Sequence, residues 1–154
     1  MKKIILSFTI AAAILSSSFT YAADKEPVLK EPSIKAKQAF SNEFAKVTDV
    51  EWTTMAKEGV YQAKFTFNNE SLQAFFTEEG DFLGTTRQIT KSQLPILVLN
   101  QLGKKYPDAH VLTIFEYSKQ EGLEYYITIT NDKGGQILQA SGNGEVSVYK
   151  KNLK

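Results

Sequence analysis

The stretch "EGVYQAKFTFNNESLQAFFTEEGDFLGTT", Glu58 to Thr86, decides the fold. Its side chains alternate. Tyr61, Ala63, Phe65 and Phe67 point one way, and Gln62, Lys64 and Thr66 point the other. A period of two is a strand with one face in a core. Asn68-Asn69 then breaks the run, because asparagine tolerates the backbone of a tight turn. Leu72, Ala74 and Phe76 resume the inward face, and Glu79-Gly80-Asp81 turns the chain again, with Gly80 free to take a positive φ. "FLGTTRQ" supplies the last strand.

Working outward, "SIKAKQAFSNEFAKV" changes the period to that of a helix. Ala36, Ala39, Phe40, Phe44 and Val47 form one apolar stripe, and Ser33 is placed to cap it. "DVEWTTM" adds a further strand. Downstream, "QLPILVLNQLGKKY" carries Leu94, Val98, Leu99, Leu102 and Tyr106 on one helical face. Ser92 is its expected N-cap, Pro95 falls in its first turn, and Pro107 stops it. Four strand-like runs follow, the last three of them in "EGLEYYITITNDKGGQILQASGNGEVSVY", Glu121 to Tyr149. The punctuation matches the first stretch while the side chains differ. Phe40 and Phe44 correspond to Leu102 and Tyr106, Gly59 to Gly122, and Gly80 to Gly144, at offsets of 62 to 64 residues. The expected class is α+β: a tandem repeat of two α–β4 units, residues 33–90 and 91–154, each a helix packed on a four-stranded antiparallel sheet.

The N-terminus has a different character. Lys2 and Lys3 precede the apolar run Ile4 to Leu15, and Thr20-Tyr21-Ala22 places small residues for cleavage after Ala22. These are the three parts of a secretory signal peptide, residues 1–22. Its apolar run is short for a membrane span, and no cysteine exists to carry a lipid, so no stable membrane anchor is expected after cleavage. The proline-flanked polar segment 23–32 reads as a flexible leader, and 33–154 as the folded domain. Export implies a periplasmic or secreted protein.

Cleavage takes the basic count from 18 to 16 against 17 acids, which gives no electrostatic reason to bind nucleic acid. An exported chain without cysteine has no disulfides, so its stability must come from packing. Ten Phe, seven Tyr and one Trp supply the area.

The candidate chemistry is thin. His110 is the single histidine, next to Asp108 by two positions, and no nucleophile motif accompanies it. "TEEGD" and "TNDKGG" hold acids and amides beside glycine, but neither has calcium-loop spacing. Both read as hairpin turns. No cofactor, metal site or catalytic residue is expected.

The pattern "AFSNEFAKVTDVEW", "GVYQAKF", "FFTEEGDFLGTT", then Leu94-Pro95 and Tyr106-Pro107, resembles the secreted bacterial PepSY-like proteins grouped with the β-lactamase-inhibitor-protein-like (BLIP-like) fold. The resemblance runs from about Ile34 to the C-terminus and rests on structural positions. It implies a tandem α–β4 fold and, by analogy, a protein-binding or peptidase-modulating role. The inhibitor that names the fold carries disulfides and this chain has none, so β-lactamase inhibition is not carried over.

With helices on one face, the other face of the sheet is expected to be open. It would present Met55, Gln62, Lys64, Phe75, Arg87 and Tyr126 to a protein or peptide, with Phe75 and Tyr126 as aromatic anchors. The expected function is a non-enzymatic binding module of unassigned oligomeric state. The alternatives are an enzyme using the turn carboxylates Glu78, Glu79 and Asp81, and an envelope protein that assembles with itself through edge strands.

Overall fold

A computed structural model describes residues 31–55, 59–132 and 134–153. The signal segment and the leader up to residue 30 lie outside the described residues. The elements are helix α1 (Ile34–Glu43), strands β1 (Val50–Met55), β2 (Val60–Phe67), β3 (Glu70–Thr77) and β4 (Phe82–Gln88), a 3₁₀ turn (Lys91–Gln93), helix α2 (Ile96–Lys105), and strands β5 (His110–Lys119), β6 (Gly122–Asn131), β7 (Gly134–Ser141) and β8 (Val146–Leu153).

The expected tandem repeat of helix-on-four-strand units is overturned. All eight strands belong to one sheet, in the order β1-β2-β3-β4-β5-β6-β7-β8. Among the described residues there is no second sheet for a second unit to own. Just beyond β4, the Ile89 N–H donates to the Ile114 carbonyl at 2.9 Å. Alternation and turn residues fix which side chains face the core, but they carry no information about which strand edge meets which. An unpaired β4 edge would leave a row of backbone donors and acceptors exposed, and β5 takes them up.

Two compact units divide the chain between Thr85 and Thr86, inside β4. In the first, Ser33 has two bonds. Its Oγ accepts from the Ala36 N–H at 3.0 Å, capping α1, and donates to the Glu78 carbonyl at 2.7 Å. The helix start is thereby tied to the β3–β4 turn. That turn needs Gly80, at φ 92°, because a Cβ there would lie 2.8 Å from the Lys35 carbonyl oxygen. The β2–β3 turn is Asn68-Asn69, with φ of 50° and 65°, the left-handed pair required by a two-residue hairpin loop. The apolar stripe of α1 packs Ala36 and Phe40 on Tyr61, Ala63, Phe65, Ala74 and Phe76, with Phe44, Trp52 and Phe82 against the same cluster.

In the second unit the helix begins later than its caps predict. Thr90 and Gln93 close a capping box over the 3₁₀ turn, Pro95 takes the N-cap position, and α2 starts at Ile96. Ser92 is therefore not the N-cap. Val98 and Leu102 pack on Ile114, Tyr125, Ile127, Ile129, Leu138, Ala140 and Val146. Tyr106 caps the C-terminus, its N–H donating to the Leu102 carbonyl at 2.8 Å. Among the described residues no helix is long and apolar enough to cross a membrane.

Candidate functional site

Strand register sorts the faces. Within the first unit, Gln62 lies opposite Phe75 and Lys64 opposite Gln73, on the side away from the cluster under α1. The sequence placed Gln62, Lys64 and Phe75 together on this side, and they are together. Their exposure differs from expectation. Lys64 is exposed, Gln62 is half-buried with its Nε2 donating to Gln73 Oε1 at 2.7 Å, and Phe75 is 0% exposed. Met55 is half-buried at the end of β1, opposite Val60. Arg87 is held by Glu116, Nε to Oε1 at 2.8 Å, and the cross-strand partner of Glu116 is Tyr125 of the core under α2. Tyr126 is 1% exposed. Phe75 and Tyr126 are therefore not surface anchors. Alternation reports the side on which a ring lies, and same-face neighbours can still close over it.

Around Tyr126, however, the second unit assembles a polar cluster that the sequence reading missed. It starts from the β5–β6 hairpin. Lys119 pairs with Gly122 across the two-residue loop Gln120-Glu121, which sets Tyr117 opposite Glu124 and Phe115 opposite Tyr126. Gly122 offers Lys119 no side chain, so the lysine leans along the same face to Glu124. Its Nζ lies 2.6 Å from Glu124 Oε1 and 5.9 Å from the centroid of the Tyr117 ring. The other carboxylate oxygen, Oε2, accepts from the Tyr126 hydroxyl at 3.2 Å and from Gln139 Nε2 at 3.2 Å. Gln139 Nε2 also lies 3.3 Å from the Tyr126 oxygen, and the Tyr149 ring meets Tyr126 edge-to-face at 5.3 Å.

The electrostatics follow from this packing. Burial pushes the Tyr117 hydroxyl up to about 12, with the charges of Glu124 and Glu121 adding to it. Burial also raises Tyr126 well above the ordinary tyrosine value, with Glu124 acting in the same direction by charge and by accepting its hydrogen bond. Both tyrosines are held neutral, and Tyr126 donates to Glu124. The cluster still reaches solvent: the side chains of Lys119 and Glu124 are 17% and 22% exposed.

The enzymatic candidates find other uses. Glu78, Glu79 and Asp81 are exposed. Asp81 closes the turn, its N–H donating to Thr77 Oγ1 at 3.0 Å and its Oδ2 accepting from that hydroxyl at 3.2 Å. His110 is exposed at the start of β5. Among the described residues there is no group of three or more His, Asp or Glu placed to hold a metal ion. An open groove of about 560 Å³ lies beside the start of β1, where Lys46, Asp49, Glu51 and Lys64 mix both charges.

No protein-family model matches the chain, and no curated protein matches it in sequence. Solved structures do match its fold. A protein of Bacteroides eggerthii described as periplasmic superposes with a TM-score of 0.69 at 15% identity, over 79% of this chain and 90% of its own. A DUF2874 family protein of Bacteroides ovatus gives 0.68 at 17% identity, over 77% and 89%. A BLIP-like protein of Bacteroides fragilis gives 0.65 at 20% identity, over 84% and 94%. At these identities the likeness concerns the fold, and the fold of this chain is BLIP-like.

Proposed function

We propose that the chain is an exported, non-enzymatic binding module that engages a protein partner through the sheet face carrying Glu124. Residues 1–22 are removed on export, the leader 23–32 precedes the folded part, and the mature protein works in the periplasm or outside the cell. The observation that carries this reading is the cluster on β5, β6 and β7. Glu124 and Lys119 reach solvent there, held over the buried rings of Tyr117 and Tyr126, with Tyr149 half-buried beside them. Tyr149, half-buried against Tyr126, supplies aromatic contact area at low entropic cost, which suits a binding anchor. The likeness in fold to a BLIP-like protein and the sequence resemblance to PepSY-like proteins favour the same class, with modulation of a partner's activity as its finer form. Gln62 and Lys64 remain candidates for a polar contact of the first unit. Phe75 drops out as an anchor.

The test is affinity capture from an envelope extract with mature chain 23–154 as bait, beside folded Glu124→Gln and Tyr149→Ala baits. The expected result is one enriched protein, retained by the parent and lost by both variants. Capture of the chain by itself alone would replace this reading with self-assembly through the sheet edges.

A further inference from the structure

The open sheet ends in two edge strands, β1 and β8, and they are built differently. β8 carries Lys150 and Lys151, and its register against β7 shifts at two places. Lysines and bulges keep an edge from accepting another strand. β1 has neither. Val50–Met55 runs in unbroken register with β2, and its one charged residue is Glu51.

The phase of the hydrogen bonds shows which groups of β1 face outward. The left-handed two-residue loop Asn68-Asn69 makes Phe67 and Glu70 the closing, hydrogen-bonded pair of the β2–β3 hairpin. Bonded and non-bonded pairs alternate from there, so Phe65 and Ala63 bond to β3 while Lys64 and Gln62 bond to β1. Their partners Glu51 and Thr53 therefore turn their backbone groups inward. Val50 and Trp52 turn theirs away from the sheet, and no other backbone group among the described residues reaches them. Donors and acceptors at this spacing match the backbone of another extended chain. The side chains leave room for it. α1 lies across β3, two strands in from the edge, so Val50 and Trp52 stay half-buried on the helix side.

We infer that the β1 edge pairs with β1 of a second copy of this chain, antiparallel about a two-fold axis at Trp52. The phase restricts the register, because outward-facing residues must meet outward-facing residues. An axis at Glu51 would set two acids face to face. An axis at Trp52 sets the two indole rings together on the helix side, and Glu51 against the partner's Thr53 on the other. No like charges meet, and the sheet continues from one chain into the next. This surface goes beyond the Glu124 face and does not use it, so either can fail without the other.

The test is sedimentation velocity of the mature chain 23–154 from micromolar to millimolar concentration, with amide hydrogen exchange followed by NMR at both ends of the range. The parent should dimerise as concentration rises. The amides of Val50 and Trp52 should then gain protection, while those of Glu51 and Thr53, already bonded to β2, change little. Val50→Pro removes an outward donor at the first position of the strand, where proline is tolerated, and should abolish the dimer. Thr53→Lys meets the partner's Glu51 twice per dimer and should tighten association about fivefold, and Thr53→Glu should weaken it by about the same factor. Thr53 lies opposite Gln62, on the side away from the cluster under α1, so the charge variants keep the fold and stand as the test should Val50→Pro fold poorly. A parent that stays monomeric throughout, or a dimer in which the two charge variants respond alike, would overturn the inference. A monomer whose Val50 and Trp52 amides are protected in complex with a captured protein would also overturn it, and would give the edge to a strand of that protein. Glu124→Gln should dimerise as the parent does, and a loss there would move the contact to the Glu124 face and overturn the β1 assignment. Capture of the chain by itself beside one other protein is the pattern expected when both surfaces act.

Discussion

The two units fill the space beneath their helices with different material. Under α1 the core is aromatic: Phe40 touches Phe44, Trp52, Phe65 and Phe76, with ring centroids 5.0 to 6.1 Å away. Under α2 it is mostly aliphatic, with Ile114, Ile127, Ile129 and Leu138 around Val98 and Leu102. Few large rings in edge-to-face contact concentrate stability in single residues, whereas many branched side chains spread it. Phe40→Ala should therefore be the most damaging single truncation, about 3–5 kcal/mol, while Ile127→Val should cost only about 0.5–1.5 kcal/mol. Urea unfolding gives both values. Trp52 is the one tryptophan of the chain and lies 5.5 Å from the Phe40 ring, so its fluorescence reads the first unit directly. Equal losses at the two positions would break the contrast.

The faces away from these cores differ as well. The first unit sets the Gln62–Gln73 amide pair there, and amides do not titrate. The second sets Tyr117 and Tyr126 beside Glu124, and tyrosines do. Tyr117 has its folded value raised from 10.0 to about 12, so its neutral form is favoured by the fold. The resulting stability is fully present below pH 10. Above that, the unfolded chain releases the proton while the folded one keeps it, and stability falls until the pH passes about 12. Discounted for the screening of a hydroxyl that solvent still partly reaches, the loss should amount to about 1–2 kcal/mol from this residue. Tyr126 is shifted in the same direction and adds to it. Denaturation at stepped alkaline pH, with tyrosinate absorbance as a second readout, measures this. Glu124→Gln should lower the Tyr117 titration without restoring the ordinary value, because burial is the larger cause. A full return to the ordinary value would place the charge of Glu124 above burial.

Much of this architecture is legible in the residues. The stripe Ala36, Phe40, Phe44 marks the core side of α1, and Asn68-Asn69 marks the turn between β2 and β3. These features are local, and each residue carries its own constraint. The single sheet is not legible, because the meeting of β4 with β5 is decided by backbone edges that all residues share. Nor is the burial of Phe75, since alternation assigns it a side and cannot say what lies above it. The Glu124 cluster stood nearer to detection. Reading Gln120-Glu121 as a two-residue hairpin loop would have put Lys119 opposite Gly122 and Tyr117 opposite Glu124, and the charge pair would have followed. Without that register, Glu124 is one more polar residue on a strand.

One likeness between the units survives their differences, and it also contains a test. Gly80 and Gly144 occupy turns that press against the first turn of a helix, at φ of 92° and 93°. A Cβ at Gly80 would lie 2.8 Å from the Lys35 carbonyl oxygen, and a Cβ at Gly144 would lie 2.7 Å from Leu97 Cβ. Alanine at either position is strained by its φ, costing about 1–3 kcal/mol before any clash. The obstacles differ in kind. Leu97 Cβ is a side-chain atom and can be deleted; the Lys35 carbonyl belongs to the backbone and cannot. A double-mutant cycle separates the two. Leu97→Gly should relieve part of the Gly144→Ala penalty, a coupling of about 1 kcal/mol on top of its own helix cost. Lys35→Gly should relieve little of the Gly80→Ala penalty, less than about 0.5 kcal/mol, because the oxygen stays in place. Equal couplings would mean that the turns yield by moving as a whole, and that Ser33, which ties α1 to the Glu78 carbonyl at 2.7 Å, does not hold the first turn as firmly as its two hydrogen bonds imply.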